Sequence, residues 1–437
     1  MRFIAKITGY VSVLLAIAWP MAAHSQDATA ATKWTQLAKL TESSGKEEDW
    51  LGWSTAISKD GNTAAVGAVG WCPQQGYNGC GQGAVFVFVK PPTGWANMTE
   101  TAILTASDGQ PGEYLGESVA ISDDGNTIVA GAPYWPANGK GNGALYVFVK
   151  PESGWAIMTE TGRLTTNDLY ANLGQSVAIS GGTIAGGGFG FNKSQGAAYV
   201  FVQPKSGWRN MTQTARLTAS SGAGGLGFSI SVSGDTVVAG APGVTALVFI
   251  RPKGGWKDET QNADLTASDN QGKFDFGYSV SIVGSTIAVG APERHRNGAV
   301  YMYVKPPEGW RNTTQTALLT ADNIGFSALG YSVSLDAGAK SLVSGIPAWP
   351  GGGGPGAVVL YNESRSGWAN ASKADARMIA NDGKDQDSLG FSVAASLECI
   401  AAGAPYAAIG SNRQQGAAYV FGRSNFVTET LPTTTTR

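Results

Sequence analysis

Histidine is almost missing from this chain of 437 residues: there are 2, and since His24 belongs to an N-terminal stretch set apart below, His295 stands alone. A catalytic triad that needs an imidazole base, or a metal site built from several histidines, has nothing to draw on. Net charge is equally scarce. Lys and Arg number 30 against 32 Asp and Glu, for a formal charge of -2. No basic stripe exists to hold a phosphate backbone or an anionic lipid surface, so nucleic acid is not an expected partner. Long apolar runs are also lacking. The run from Val11 to Trp19 spans about 10 residues, where about 20 are needed to cross a bilayer. No phosphate-binding Walker loop occurs, and no pair of carboxylates is marked out for glycoside cleavage.

That short run is preceded by Arg2 and Lys6 and followed by small residues ending in Ala23-His24-Ser25. This is the three-part pattern of a secretory signal, assigned to residues 1–25. The protein is therefore expected to be secreted and extracellular, with no membrane span. The Thr-rich residues 424–437 read as a tail, without the hydrophobic stretch of a lipid-anchor signal. Cysteine numbers 3. Cys72 and Cys80 bracket the loop CPQQGYNGC, where an oxidising compartment would allow a disulfide. Cys399, in an apolar segment, reads as a small buried side chain.

What the chain has in abundance is glycine, 61 residues, together with many aromatic and β-branched ones. That combination suggests strands joined by tight turns. The glycines are periodic. One, usually preceded by Leu or Phe, opens each of seven units at Gly52, Gly116, Gly174, Gly227, Gly277, Gly330 and Gly390, at spacings of 50 to 64 residues. A second follows 12 to 15 residues later, at Gly67, Gly131, Gly186, Gly240, Gly290, Gly345 and Gly403. Each unit reads as four phrases, illustrated by LGESVAIS, DDGNTIVAGAP, GALYVFVKP and GWAIMTETGRLT, each taken as one strand. Four strands per unit with glycine at the corners predict a seven-bladed β-propeller of four-stranded antiparallel blades over residues 33–423. Six units end in a Trp phrase, at Trp95, Trp155, Trp208, Trp256, Trp310 and Trp368, and the seventh has none. Residues 34–41, WTQLAKLT, match that phrase and are expected to complete blade seven, removing two exposed edges.

At these residues the chain resembles the FG-GAP repeat family, the propeller of integrin α subunits and of many exported bacterial proteins. The Phe-Gly element is Phe276-Gly277 and otherwise mostly Leu-Gly; Gly-Ala-Pro stands intact at Gly131, Gly240, Gly290 and Gly403. The resemblance implies a binding or adhesion scaffold. Integrin-type calcium cages do not carry over, because the corresponding loops, SKDGNT, SDDGNT, SGGT, SGDT and VGST, hold too few carboxylates. The more acidic loop Asp382-Gly383-Lys384-Asp385-Gln386-Asp387 reads as a solvated turn, with a cation as the alternative. No metal and no cofactor is expected.

Loops after the second strand and between blades emerge on one face, and the former vary most in length, which is where recognition usually lives on a rigid scaffold. They carry the candidate ligand contacts: Trp71, Tyr77, Tyr134, Trp135, Phe189, Phe191, Arg294, His295, Arg296, Trp349 and Tyr406. Aromatics and Arg are common anchors in interfaces and sugar sites. The repeated Trp reads as packing between blades, with a sugar site per blade as the alternative. Asn-x-Ser/Thr acceptors at Asn97, Asn210, Asn312, Asn362 and Asn370 would be glycosylated only in a eukaryotic source. The resulting expectation is a monomeric, non-catalytic module that binds an extracellular protein through these loops. A lectin is the alternative, and a propeller hydrolase or lyase ranks third.

Overall fold

Short runs rich in Val, Ala and aromatics, broken every few residues by glycine, favour strands too short to be stable alone. The structure, a computed structural model, describes residues 33–73, 80–136, 141–221, 223–269, 275–321, 328–348 and 353–423, except the side chain of Arg296. They form seven small sheets in a ring, with helix confined to single turns at Phe191–Ser194 and Arg294–Arg296. The fold is a seven-bladed β-propeller.

Blade one shows the plan. From the axis outward its strands are Leu51–Ile57, Thr63–Ala68, Ala84–Val89 and Ala102–Thr105, each antiparallel to the next. The third strand is the most apolar, and in blade after blade its first five residues are buried, as in AVFVFV and ALYVFV. Both faces of that strand meet a neighbouring blade. Seven hydrophobic clusters result; one joins Val85 and Val87 of blade one to Ile128 and Tyr146 of blade two. No blade could bury these faces alone, so the ring forms as a set.

Closure is made by the chain's described start. Strand Trp34–Thr41 lies antiparallel to Ala417–Arg423, with Trp34 opposite Arg423 and Leu40 opposite Ala418. One detail of the sequence reading is corrected. Aligned on the shared Leu-Thr, Leu40-Thr41 with Leu104-Thr105, Trp34 falls in the place of Met98, not of the repeated Trp95. Gln36 then falls in the place of Glu100, and its side-chain oxygen accepts the Asn381 N–H at 2.8 Å as part of the closure.

The Trp phrase is not one strand, which is the second correction. In blade one its Trp95 lies in a loop, Met98–Thr99 forms a two-residue strand, and Ala102–Thr105 is the outer strand. The two-residue strand leaves its own blade and pairs, parallel, with the outer strand of the preceding one: Met98 with Leu40, Met158 with Leu104, Met211 with Leu164. Five sheets thereby gain a fifth strand. Flanking side chains fasten it. The Asn97 carbonyl oxygen accepts the Lys39 N–H at 2.8 Å, and Glu100 takes both the N–H and the hydroxyl of Ser43. The same arrangement recurs with Glu160 on Ser107, and Gln315 likewise accepts the Ser268 N–H but donates its amide to the Ser268 hydroxyl.

Near the axis the glycines explain themselves by contact. Gly52 has φ +98°, and a Cβ on Gly403 would lie 1.9 Å from the Gly52 carbonyl oxygen, so neither position admits a side chain. That carbonyl instead accepts the Ser392 hydroxyl at 2.9 Å. The bond repeats at every junction: Ser54 to Gly116, Ser118 to Gly174, Ser176 to Gly227, Ser229 to Gly277, Ser279 to Gly330 and Ser332 to Gly390, at 2.6 to 2.9 Å. The small inner-strand serines thus close a ring of hydrogen bonds around the channel. Blade three corrects the glycine assignment by one residue. Gly187, not Gly186, faces the next blade's carbonyl and pairs with Ser176.

Cys72 and Cys80 are joined by a disulfide, and Cys399 is buried, where desolvation raises its thiol pKa. Among the described residues no helix is long and apolar enough to cross a membrane.

Candidate functional site

The residue after each unit's first glycine stands just ahead of the inner strand, or within it at Trp53, so seven of them meet at one mouth of the channel. They are Trp53, Glu117, Gln175, Phe228, Tyr278, Tyr331 and Phe391, and with the inner-strand residues below them they line a cavity of about 240 Å³. Five are aromatic and contiguous. Ring centroids are 5.0 Å apart from Phe228 to Tyr278, 5.0 Å to Tyr331, 5.1 Å to Phe391 and 4.8 Å to Trp53, each pair tilted by 45° to 52°. Glu117 and Gln175 complete the circle, with the Gln175 amide 3.2 Å from the Glu117 carboxylate.

Crowding by this collar decides the electrostatics. Desolvation pushes the Glu117 carboxyl up to about 7, even though hydrogen bonds from Trp53 and Gln175 favour its charged form. Burial likewise raises the Tyr278 and Tyr331 hydroxyls, which are hydrogen-bonded to each other. The mouth therefore offers aromatic rings at five of its seven positions and one carboxyl whose pKa is raised to about 7.

Three loop aromatics predicted from sequence stand beside this mouth. Tyr406 lies 6.1 Å from Phe391 and Phe189 lies 6.3 Å from Phe228. Tyr134 stacks edge-on against Tyr114 at 5.6 Å, and burial followed by the Glu117 charge raises its pKa. Others are engaged farther out. Trp71 packs edge-on against Phe86 in the core between blades seven and one. Trp135 donates to Asp108 at 3.1 Å and carries the Arg163 guanidinium over its ring at 4.5 Å. Phe191 is covered by Arg216 at 4.9 Å, and Arg294 pairs with Asp269 at 2.8 Å. His295 is exposed, with φ +49°. Tyr77, Trp349 and the Arg296 side chain lie outside the described residues.

Those outer contacts share one design. At four junctions an Asp leaving one blade accepts the hydroxyl of a Tyr on the next blade's third strand and pairs with a cation. The sets are Asp108 with Tyr146 and Arg163, Asp168 with Tyr199 and Arg216, Asp269 with Tyr301 and Arg294, and Asp382 with Tyr419 and Lys39. Asp382 is thus committed within the acidic loop, and Asp387 accepts its own loop's Lys384 N–H at 2.8 Å. Among the described residues no group of three or more His, Cys, Asp or Glu gathers to hold a metal.

The repeated Trp is packing: Trp155, Trp208, Trp256, Trp310 and Trp368 are 6% to 7% exposed, and only Trp95 is less covered. The sequons Asn97, Asn210, Asn312 and Asn370 are exposed, and each uses its carbonyl oxygen to accept a backbone N–H of the preceding blade. Asn362, also exposed, bonds Asp375. The loop reading missed the collar, whose residues sit at the threshold of the inner strands and not in the variable loops; the signal was the one variable position, W, E, Q, F, Y, Y, F, amid constant neighbours.

The sequence profile of the FG-GAP repeat matches residues 34–88, 98–148, 260–303 and 373–421. A comparison with curated proteins finds no match. Each matched stretch begins at or beside an outer strand and ends in the third strand of the following sheet, so the family's unit runs one strand out of phase with the blade. The chain is a seven-bladed β-propeller built on FG-GAP repeats.

Proposed function

We propose that this propeller is an exported, non-catalytic module that binds a protein ligand at the upper mouth of its channel. The collar takes one extended cationic side chain, lysine or arginine, from that ligand. An FG-GAP propeller is a binding-type scaffold, and the finer reading rests on one observation: an unbroken arc of five aromatic rings closed by a carboxyl. π-Faces attract cations, more so where water is thinned out, and a carboxylate adds its charge. A cavity of about 240 Å³ matches a side chain better than a folded surface or a long glycan. Glu117 is the one carboxylate lining it among the described residues, so acid–base chemistry lacks a second partner there. Export is supported by the pattern of residues 1–25 and by the Cys72–Cys80 disulfide.

Binding is tested on peptide and glycan arrays with the wild type and the double variant Tyr331→Ala, Phe391→Ala. Peptides bearing Arg or Lys should bind the wild type and lose at least tenfold with the variant. Affinity should rise from pH 6 to pH 8, because a cation favours the ionised Glu117, and Glu117→Gln should flatten that rise. Glycan binding lost in the double variant would assign the site to sugars. Turnover of any array member would end the non-catalytic reading.

A further inference from the structure

Five blades bury the Trp of their Trp phrase and blade one half-buries Trp95, whereas no Trp follows the third strand of blade seven in the sequence. The Trp95 indole donates to the Gly61 carbonyl of its own blade's hairpin at 3.0 Å, and Trp155 does the same to Gly125 at 3.2 Å. In blade seven the hairpin between Ser392–Ala395 and Cys399–Ala404 presents Leu397, which is 52% exposed. A cavity of about 400 Å³ opens there, lined by Leu37, Trp95, Leu397, Cys399, Gly422 and Arg423 among others. The third strand adds to the space. Where the other blades end it in Val, Ile or Asn, blade seven has Gly422.

The chain continues from the wall of this cavity. Arg423 lines it, and the next residues are Ser424-Asn425-Phe426-Val427-Thr428-Glu429-Thr430. Three residues of extended chain reach about 10 Å, so Phe426 can enter the cavity from Arg423. The order of residues is that of the Trp phrase. Val427-Thr428-Glu429-Thr430 repeats Met98-Thr99-Glu100-Thr101 and Met158-Thr159-Glu160-Thr161, with one aromatic upstream and a shorter spacer. We propose that residues 424–430 are a shortened Trp phrase that docks on blade seven, with Phe426 filling the vacant tryptophan slot against Trp95 and Leu397. The docked segment pins the seam where the ring closes, covering apolar surface that every other junction covers with Trp.

The test is made on the full chain with Cys399→Ser, so that Cys72 and Cys80 keep each other. Leu397→Cys is paired with Asn425→Cys, which leaves Phe426 in place, and the control pairs Leu397→Cys with Thr434→Cys. The 397–425 pair should form an intrachain disulfide at least tenfold more completely than the control, and adding Phe426→Ser should remove that advantage. Equal yields, no cross-link, or cross-links only between copies would each overturn the proposal. In the otherwise unchanged chain Phe426→Ser should lower the melting temperature and Phe426→Trp should preserve or raise it. Identical melting of all three would overturn it as well.

Discussion

Glu42 and Asp49 show how a single position can set a pH response. Both side chains are buried, at 6% and 0% exposure, and among the described residues neither Glu42 carboxyl oxygen receives a donor from elsewhere. Burial, and then the Asp49 charge, raises the Glu42 carboxyl well above the usual range, so the pair is tolerated with a proton between its two members. A carboxyl raised in the folded state binds its proton more tightly there than in the unfolded chain. Its contribution is complete below the ordinary carboxylate range and is lost as pH rises through the raised value. Glu42→Gln should therefore raise the melting temperature at pH 8 and change it little at pH 4. A variant less stable than wild type at pH 8 would contradict the assignment. Other residue-scale features were readable in advance. Asp108, Asp168, Asp269 and Asp382 are each followed by a Tyr at one place in the next unit, whereas Ser44, Ser221 and Asn323 are followed by Phe86, Leu247 and Val359. The two positions change together because a Tyr hydroxyl buried at that junction needs its acceptor.

The two-residue strand is the element that sequence patterning hid. Period-two alternation needs several residues to register, and Met98–Thr99 is too short to show it. Its partner is also in another blade, so no local hairpin signal announces it. The residues that hold it were visible but were read as glycosylation acceptors. Asn97, Asn210, Asn312 and Asn370 use their carbonyl oxygens, and in blade four Asp258 accepts the Arg216 N–H at 2.8 Å from the same place. An acceptor suffices there, and an amide is not required. Asn312→Asp should keep the melting temperature close to wild type, whereas Asn312→Ala should cost about 1 kcal/mol through the unpaired Asp264 N–H. Equal losses in the two variants would show that the amide itself matters. The four main strands, their order and their glycine corners were legible because each repeats seven times with the same neighbours.

At the scale of the whole ring, adjacent blades are joined at three radii. Serine hydroxyls reach glycine carbonyls at the axis, Leu–Gly bridges such as Leu115 with Gly83 sit midway, and the short parallel strands grip the rim. At the closing junction Ser392 reaches Gly52 and Leu51 bridges Gly416, but the rim grip needs the chain's described start, because there Met98–Thr99 pairs with Leu40–Thr41. Removing residues 33–41 should open blade seven, expose the edge of Ala417–Arg423 and lower the melting temperature sharply; calorimetry showing an unchanged transition would refute the closure. The sevenfold count was legible from the sequence, while the collar was not, because its seven residues are 50 to 64 positions apart and become neighbours only around the axis.

Trp34 faces Arg423, so the first and last residues of the closing pair of strands lie at the same end of that pair. A pull applied to both ends would load the backbone bonds of this pair one after another, like a zip, and never all at once in shear. The closing pair thus yields early to tension applied between Trp34 and Arg423, one backbone bond at a time.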